Sequence, residues 1–346
     1  MTDNSQTNDF VLNMPKVELH LHLEGAIPLT ALMQLISKYG NTESKLITLE
    51  DLEAKFEYHD FHHFINVWKW KNQFLKEYED FELISDAVAA DLVRQNIHYA
   101  EVFFSPSDFK EWNLKPALIA ESIRKGIDKH AGLITIFLIT DLVRDFGPEN
   151  GLIVLNQIAE CRDLGILGIG IGGTEPAFPP ELFEDVYRMA RKMGFRLTAH
   201  AGEAAGAESI YGAINVLKVD RIGHGTRAHE SDDLLNTLVK RQIPLEMCPI
   251  SNVRTGVVAS LSNHPIQRYK NLGIPISVNS DDPKMFNTSL ENEFLGLIRT
   301  FQMKKDDIYQ LQENAIQSAW CDSSLKESLS NELLNYYEQN KFSYED

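Results

Sequence analysis

The sequence predicts an α/β fold: a (β/α)8 TIM barrel with a helical insertion after the first strand and helices at the C-terminal end. Three observations lead there. Short β-rich runs alternate with amphipathic helical stretches, the pattern of parallel strands joined by crossover helices. About eight such runs are found, and eight strands with their helices close a barrel. The 346 residues exceed the roughly 250 that such a barrel commonly needs, and the surplus falls in two places.

Taken in order, the strands are expected at 16–22, 97–104, 133–139, 167–171, 196–200, 219–224, 243–247 and 275–279. Helices are expected between them at 80–94, 115–129, 151–164, 180–193, 207–218 and 232–241. About 70 residues separate the first strand from the second, and 28–76 within that gap reads as several helices. An insertion there lies above the barrel mouth and can act as a lid. The tail, 290–346, reads as helices, for example 306–319 and 324–339, that close the barrel from outside. With no internal repeat, low-complexity segment or Pro/Gly-rich linker, residues 1–346 are read as a single domain.

Composition narrows the function. A formal charge of -17, from 50 acidic against 33 basic residues, argues against nucleic acid or an anionic membrane surface as partner. A neutral or weakly charged small molecule suits it better. Cys161, Cys248 and Cys321 are too few and too scattered for a disulfide framework or a metal site, which points to a reducing cytoplasm. The first ten residues lack the basic and apolar regions of a secretory signal, and no run of about 18 apolar residues suggests a membrane span.

The first predicted strand ends in His20-Leu21-His22, followed by Glu24 and Gly25. In an extended strand residues i and i+2 share a face, so two imidazoles can grip one metal ion. An isolated His-x-His is more often a pair of satisfied core or surface histidines. Other strand ends change that balance by offering His200, His224, and the adjacent Asp281 and Asp282. In a closed parallel barrel all C-terminal strand ends ring one mouth, where barrel enzymes build their sites. Three imidazoles and one carboxylate, from His20, His22, His200 and Asp281, suit Zn2+ and are acceptable to Fe2+, Mn2+ or Co2+. Water at an open position completes a hydrolytic centre.

Glu203 follows in Ala199-His200-Ala201-Gly202-Glu203, where small residues let the chain turn off the strand and lean the carboxyl over the site. The plainer alternative is a helix N-terminal carboxylate. In this company catalysis is favoured, with a carboxylic acid of raised pKa protonating a ring nitrogen while hydroxide attacks the adjacent carbon. His224, between Gly223 and Gly225, reads as a structural histidine or as an imidazole that orients and deprotonates the attacking water. Asp281 and Asp282 diverge on a strand, so one ligates and the other accepts a hydrogen bond from substrate. Their plainer reading is a solvated acidic turn before Pro283.

Other candidates weigh less. His59, His62 and His63 read as surface or lid packing, and Phe61, Phe64, Trp68 and Trp70 as lid core, with one or two lining the pocket as the lesser alternative. The glycine-rich 168–173 lacks both the spacing and the lysine of a phosphate loop.

Four blocks carry a family resemblance. They are Glu18-Leu19-His20-Leu21-His22-Leu23-Glu24-Gly25, Thr198-Ala199-His200-Ala201-Gly202-Glu203, Arg221-Ile222-Gly223-His224-Gly225 and Ser277-Val278-Asn279-Ser280-Asp281-Asp282-Pro283. In content and order they resemble the adenosine deaminase family of the metal-dependent amidohydrolase superfamily. The resemblance implies one zinc ion held by His20, His22, His200 and Asp281, with Glu203 protonating purine N1, His224 serving the attacking water and Asp282 contacting N7. It aligns Gly173 with a glycine whose N–H faces N3, and Glu24 with a residue near the ribose 5'-hydroxyl. The implied activity is hydrolytic deamination of adenosine and 2'-deoxyadenosine to inosine or its deoxy form and ammonia.

Two departures qualify the substrate. Many relatives have Asp where this chain has Glu24, and a Glu is seen in relatives acting on adenine. The family's adenosine enzymes usually read Asp-Leu-Ala-Gly-Asp-Glu where this chain reads Gly170-Ile171-Gly172-Gly173-Thr174-Glu175. The segment from Cys248 to Gly256 also looks like branches acting on larger nucleosides. The alternatives are therefore adenine, or a larger 6-amino purine nucleoside such as aminodeoxyfutalosine. Deaminases of nucleic acid bases use a His/Cys/Cys site with Pro-Cys-x-x-Cys, which this chain lacks. A two-metal barrel of the phosphotriesterase kind needs a bridging lysine on a middle strand, and 133–139 and 167–171 have none. A barrel kept for binding alone would be expected to have lost one of His22, Glu203, His224 or Asp281.

Overall fold

The computed structural model describes residues 2–40, 47–58 and 61–341, with the side chains of 2–6, 61 and 62 outside that description. Its strands are β1 (Lys16–His22), β2 (Ile97–Phe104), β3 (Thr135–Asp141), β4 (Ile166–Gly170), β5 (Arg196–Leu197), β6 (His200–Ala201), β7 (Ile222–His224), β8 (Leu245–Met247) and β9 (Ile276–Val278). They pair in parallel as β1-β2-β3-β4-β5 and β6-β7-β8-β9.

These two runs are arcs of one barrel. The Thr198 and His200 N–H groups donate to the Ile169 and Ile171 carbonyls, so the expected fifth strand crosses the gap in two pieces, β5 and β6. At the other seam Leu21 bridges Asp281 in parallel. There His22 N–H donates to the Asp281 carbonyl at 2.9 Å, and Asp281 N–H to the His20 carbonyl at 3.1 Å. Lower in the same seam, Leu19 N–H donates to Asn279 Oδ1 across 260 residues of sequence.

Some boundaries differ from expectation. The third strand starts at Thr135 because exposed Leu133 belongs to the turn closed by its N–H on the His130 carbonyl. Its end therefore moves on to Asp141, which becomes a strand-end acid. The helix expected at 151–164 is Gly147–Ala159 followed by a 3-10 turn at Arg162–Leu164, and that at 207–218 is Ala207–Gly212 running into a π turn at Ala213–Leu217. An N-terminal helix, Thr2–Asn13, was not anticipated because its polar sequence carries little amphipathic signal. It is tied down by Phe10, whose ring lies 5.2 Å from that of Tyr336, and by buried Lys16, which donates to the carbonyls of Leu12, Met14 and Gln95.

The insertion holds helices Leu29–Tyr39, Leu49–Lys55 and Phe61–Asn72. Thr48 and Asp51 begin the second of these with a reciprocal capping box, which satisfies two otherwise orphaned amides. The tail forms helices Leu290–Phe301, Lys305–Ser318 and Ser323–Asn340. The Ser289 and Asp322 side chains cap the first and third of them. From the tail, Ala315, Ile316, Ala319, Leu329 and Leu333 pack on Val17, Leu19 and Tyr99 as one apolar cluster. The three cysteines are free, and among the described residues no helix is long and apolar enough to cross a membrane.

Candidate active site

The β1–β2 register shifts between Glu18 and Leu21, and β1 then delivers His20 and His22 to the mouth. Their Nε2 atoms lie 3.0 and 3.1 Å from His200 Nε2, and 3.5 and 3.4 Å from Asp281 Oδ1. Tetrahedral ligands at zinc distances of about 2.0–2.1 Å stand about 3.3–3.4 Å apart, so the four groups fit one such ion. A second grouping replaces His22 with His224, its donor atoms all within 4.8 Å of one another. The shorter contacts of His22 favour the first set, because His224 Nε2 is 3.9 Å from the nearer Asp281 oxygen.

His224 and Asp281 both adopt left-handed backbone conformations, with φ of 62° and 64°. Such a conformation costs a non-glycine residue about 1–3 kcal/mol and persists only where surrounding bonds over-determine it. Here those bonds include Gly223 N–H to Ala199, Gly225 N–H to Ala201, and the Asp281 bonds at the barrel seam.

Three of the four candidate ligands are held from behind, which fixes ring and carboxylate orientation, while His22 Nδ1 is buried without a hydrogen-bond partner. Glu246 Oε2 lies 2.8 Å from His20 Nδ1, and the Ile171 carbonyl 3.1 Å from His200 Nδ1. Ser251 Oγ donates to Asp281 Oδ2 at 2.6 Å, and Asn252 Nδ2 lies 3.1 Å from His224 Nδ1. Beneath them buried Arg221 pairs with Glu101 at 2.6 Å. Its Nε lies 2.5 Å from Glu246 Oε1, an ion-pair contact that is off line for a hydrogen bond. Charges taken out of water need such pairing.

The titrating groups divide. Burial pushes His22 down to about 3, His224 to about 4 and His200 well below the ordinary imidazole value, so all three are neutral at pH 7. Burial opposes the proton on His20 as well, but hydrogen bonds and charges from Asp281 and Glu246 carry it up to about 10. A metal bound by His20 must displace that proton. Asp281 is held below the carboxylate range, its burial outweighed by the His20 hydrogen bond and the surrounding histidines. Burial and then the Asp281 charge drive Glu203 and Asp282 the other way, well above that range. One ionised carboxylate therefore stands beside two protonated ones, the division that separates ligand or base from acid.

A cavity of about 230 Å³ opens over this cluster. Its inner end presents His22, His200, Glu203, His224, Asp281 and Asp282, with Gly173 along one side. Gly173 has φ of 105°, and a Cβ there would stand 2.1 Å from Asp145 Oδ2. At Gly25 a Cβ would stand 1.8 Å from Asp282 Oδ1, so the turn after β1 packs directly on that carboxyl. Phe64, Trp68, Asp108, Asp145 and Phe286 line the outer end, and Asp141, at the end of β3, lines the cavity close to His200.

Glu24 stands elsewhere than its expected substrate contact. It is buried behind the wall, where Oε1 accepts the Ser105 N–H at 2.9 Å and its own carbonyl accepts from Lys71 at 2.6 Å. Of the lid aromatics, Phe64 and Trp68 line the cavity, while Trp70 packs on Phe74. His63 packs 5.9 Å from the Tyr58 ring. His59 and the side chains of Phe61 and His62 lie outside the described residues.

Sequence reasoning missed several polar groups. Glu246 was signalled by an acid inside the apolar run 243–247, and Glu101 likewise inside 97–104. Asp141 accepts the Gly172 N–H at 2.7 Å, and Asp108 accepts from Trp68 Nε1 at 2.7 Å. Neither belongs to a motif that would mark it.

Comparison with known proteins adds the following. The family model described as Adenosine deaminase matches residues 15–336. An adenine deaminase of Chlorobium phaeobacteroides is 31% identical over 326 residues, covering 92% of this chain and 96% of the relative. An aminodeoxyfutalosine deaminase of Streptomyces avermitilis is 30% identical, covering 95% and 93%. Among solved structures, an amidohydrolase from Burkholderia ambifaria with bound Zn is 26% identical, with a TM-score of 0.87 over 97% of this chain and 95% of the other.

Proposed function

The chain belongs to the adenosine deaminase family, and on that premise we propose that it is a zinc-dependent hydrolase that removes the 6-amino group of an adenine ring as ammonia. The observation that carries this reading is the meeting, in one cavity, of an ion-sized ligand set and two carboxyl groups held protonated. His20, His22, His200 and Asp281 would hold the zinc ion, which would supply Lewis acidity able to bring the pKa of a water to about 7.

Glu203 donates its proton to N1, which makes C6 electrophilic. His224, its ring steadied by Asn252, orients the attacking water. N7 is an acceptor, and Asp282, a cavity-lining carboxyl held protonated, donates to it. The Gly173 N–H faces N3, so three edges of the ring are held in one plane while the water oxygen bonds to C6, one water proton passes through His224 to the amine, and the C6–N bond breaks to release ammonia as the remaining hydroxyl proton returns to Glu203.

Free adenine is the substrate that the wall supports best. The resemblance puts a ribose contact at Glu24, yet Glu24 is fully buried and outside the cavity lining, its Oε1 accepting the N–H of the lining residue Ser105. Adenosine or 2'-deoxyadenosine is the second reading, supported by hydroxyl acceptors in the lining, Asp108, Asp141 and Asp145. The three free cysteines fit a reducing, cytoplasmic setting.

The test is ammonia release by the metal-loaded protein from adenine, adenosine, 2'-deoxyadenosine and a larger 6-amino purine nucleoside. Release from adenine alone assigns the free base, and release from the nucleosides assigns the second reading. Release from none sinks the proposal, and activity retained in chelator without stoichiometric metal removes the zinc.

A further inference from the structure

The loop that carries Glu203 is gripped by an acid that the reaction scheme leaves without a role. Glu175 is 2% exposed. Its Oε1 accepts the Gly202 N–H at 2.6 Å, and its Oε2 accepts those of Glu203, Ala204 and Ala205 at 3.2, 2.7 and 2.9 Å. Four successive amides around one carboxylate make an anion nest filled from within the chain. Gly202 enables it by adopting φ of 69°, which turns the chain off β6. On the near side of the turn, Arg144 Nη2 donates to the His200 carbonyl at 2.6 Å.

Glu175 also belongs to the neighbouring strand exit, that of β4. It follows Gly173 and Thr174, and Thr174 is pinned to Asp145 through both its N–H and its hydroxyl. One edge of the bound ring faces Gly173 and another faces Glu203. The side chain that joins those two walls is Glu175.

We infer that Glu175 is a positioning residue that sets the Glu203 carboxyl against purine N1 in register with the Gly173 amide at N3. This rests on the reading of Glu203 as the acid. The charge of Glu175 acts in the same direction, because after burial and Asp281 it is the next cause holding Glu203 above the carboxylate range. A carboxyl group gripped by four successive amides holds the loop rigid, while the nearby Arg144 charge acts on Glu203 in the opposite direction. Rigidity of this kind matters because displacements near 1 Å cost rate more than binding.

The experiment replaces Glu175 by Gln, which keeps the shape but turns an NH2 group toward amide hydrogens. Glu175→Gln is expected to lower kcat roughly 10- to 100-fold while KM changes less than about threefold, with parental metal content and melting temperature. Added to Glu203→Gln, the same change is expected to lower the residual rate less than about threefold further, since residues acting as a unit are not additive. Parental kcat in Glu175→Gln, or an undiminished loss in the Glu203→Gln background, overturns the inference. If Glu175→Gln loses metal or melts early, Glu175→Asp decides by the same readouts, because it keeps the charge and falls one methylene short. A kcat loss at retained KM supports positioning, and parental kcat refutes it. A parent protein that releases no ammonia from any 6-amino purine is a separate outcome, and it removes the reading of Glu203 itself.

Discussion

At the inner end of the cavity His20, Asp281 and His224 leave strand ends and are held from behind by Glu246, Ser251 and Asn252 in turn, while His22 Nδ1 and Asp282 Oδ1 have no such partner. At the outer end the groups come from the insertion and from the exits of β2 and β3, and they hold one another. Trp68 and Asn72 donate to Asp108, buried Lys71 bonds the Glu24 carbonyl and Asn72, and Glu24 takes the Ser105 N–H. One end is anchored in the barrel, and the other is a local network hung on a helix. Such a division lets the outer end change what it admits while the reacting groups stay put, in keeping with relatives whose names differ by substrate.

The comparison breaks most severely at the ligands. His200→Ala is expected to abolish both stoichiometric metal, read by elemental analysis, and ammonia release; retained metal would place the ion elsewhere. Next comes Glu203→Gln, expected to lower kcat roughly 100- to 10,000-fold with metal retained. Its pH profile carries the sign. Glu203 works protonated and its pKa is held high, so the parental kcat falls as pH rises through that value, and this alkaline limb disappears in the variant.

A smaller loss is expected behind the ligands. Glu246→Gln should weaken metal affinity or activity about 10- to 100-fold, measured by competition with a chelator, and parental affinity would show that His20 needs no support. The smallest effect belongs to the outer end. Trp68→Phe deletes the indole N–H to Asp108, which keeps the Asn72 amide as a second donor. It should alter the ratio of kcat/KM for adenine and adenosine and leave metal content unchanged. A fall in metal content would show that the two ends are not separate.

The ligand set was legible because each member sits at the end of an apolar run, and a closed barrel gathers all such ends. The supports were harder to read. Glu246 meets His20 across 226 residues, and Glu175 meets its amides across 27 to 30, distances over which no local pattern operates. The orientation of Glu24 could not follow from its place after His22, since it depends on Ser105, 81 residues away. Asp141 stayed hidden for a simpler reason: apolar Leu133 drew the expected strand two residues too early, leaving the acid beyond its end.

The barrel seam has a consequence of its own. The His20 and His22 backbones bond to Asp281, whose carboxylate meets both of their imidazoles. The ion position is therefore a clasp on the ring, fastening the first strand to the last where the chain must close its longest loop. An ion seated there would add its bonds to the backbone pairs and the Leu19–Asn279 hydrogen bond that already close this seam, so that metal affinity and the stability of the ring closure would be linked.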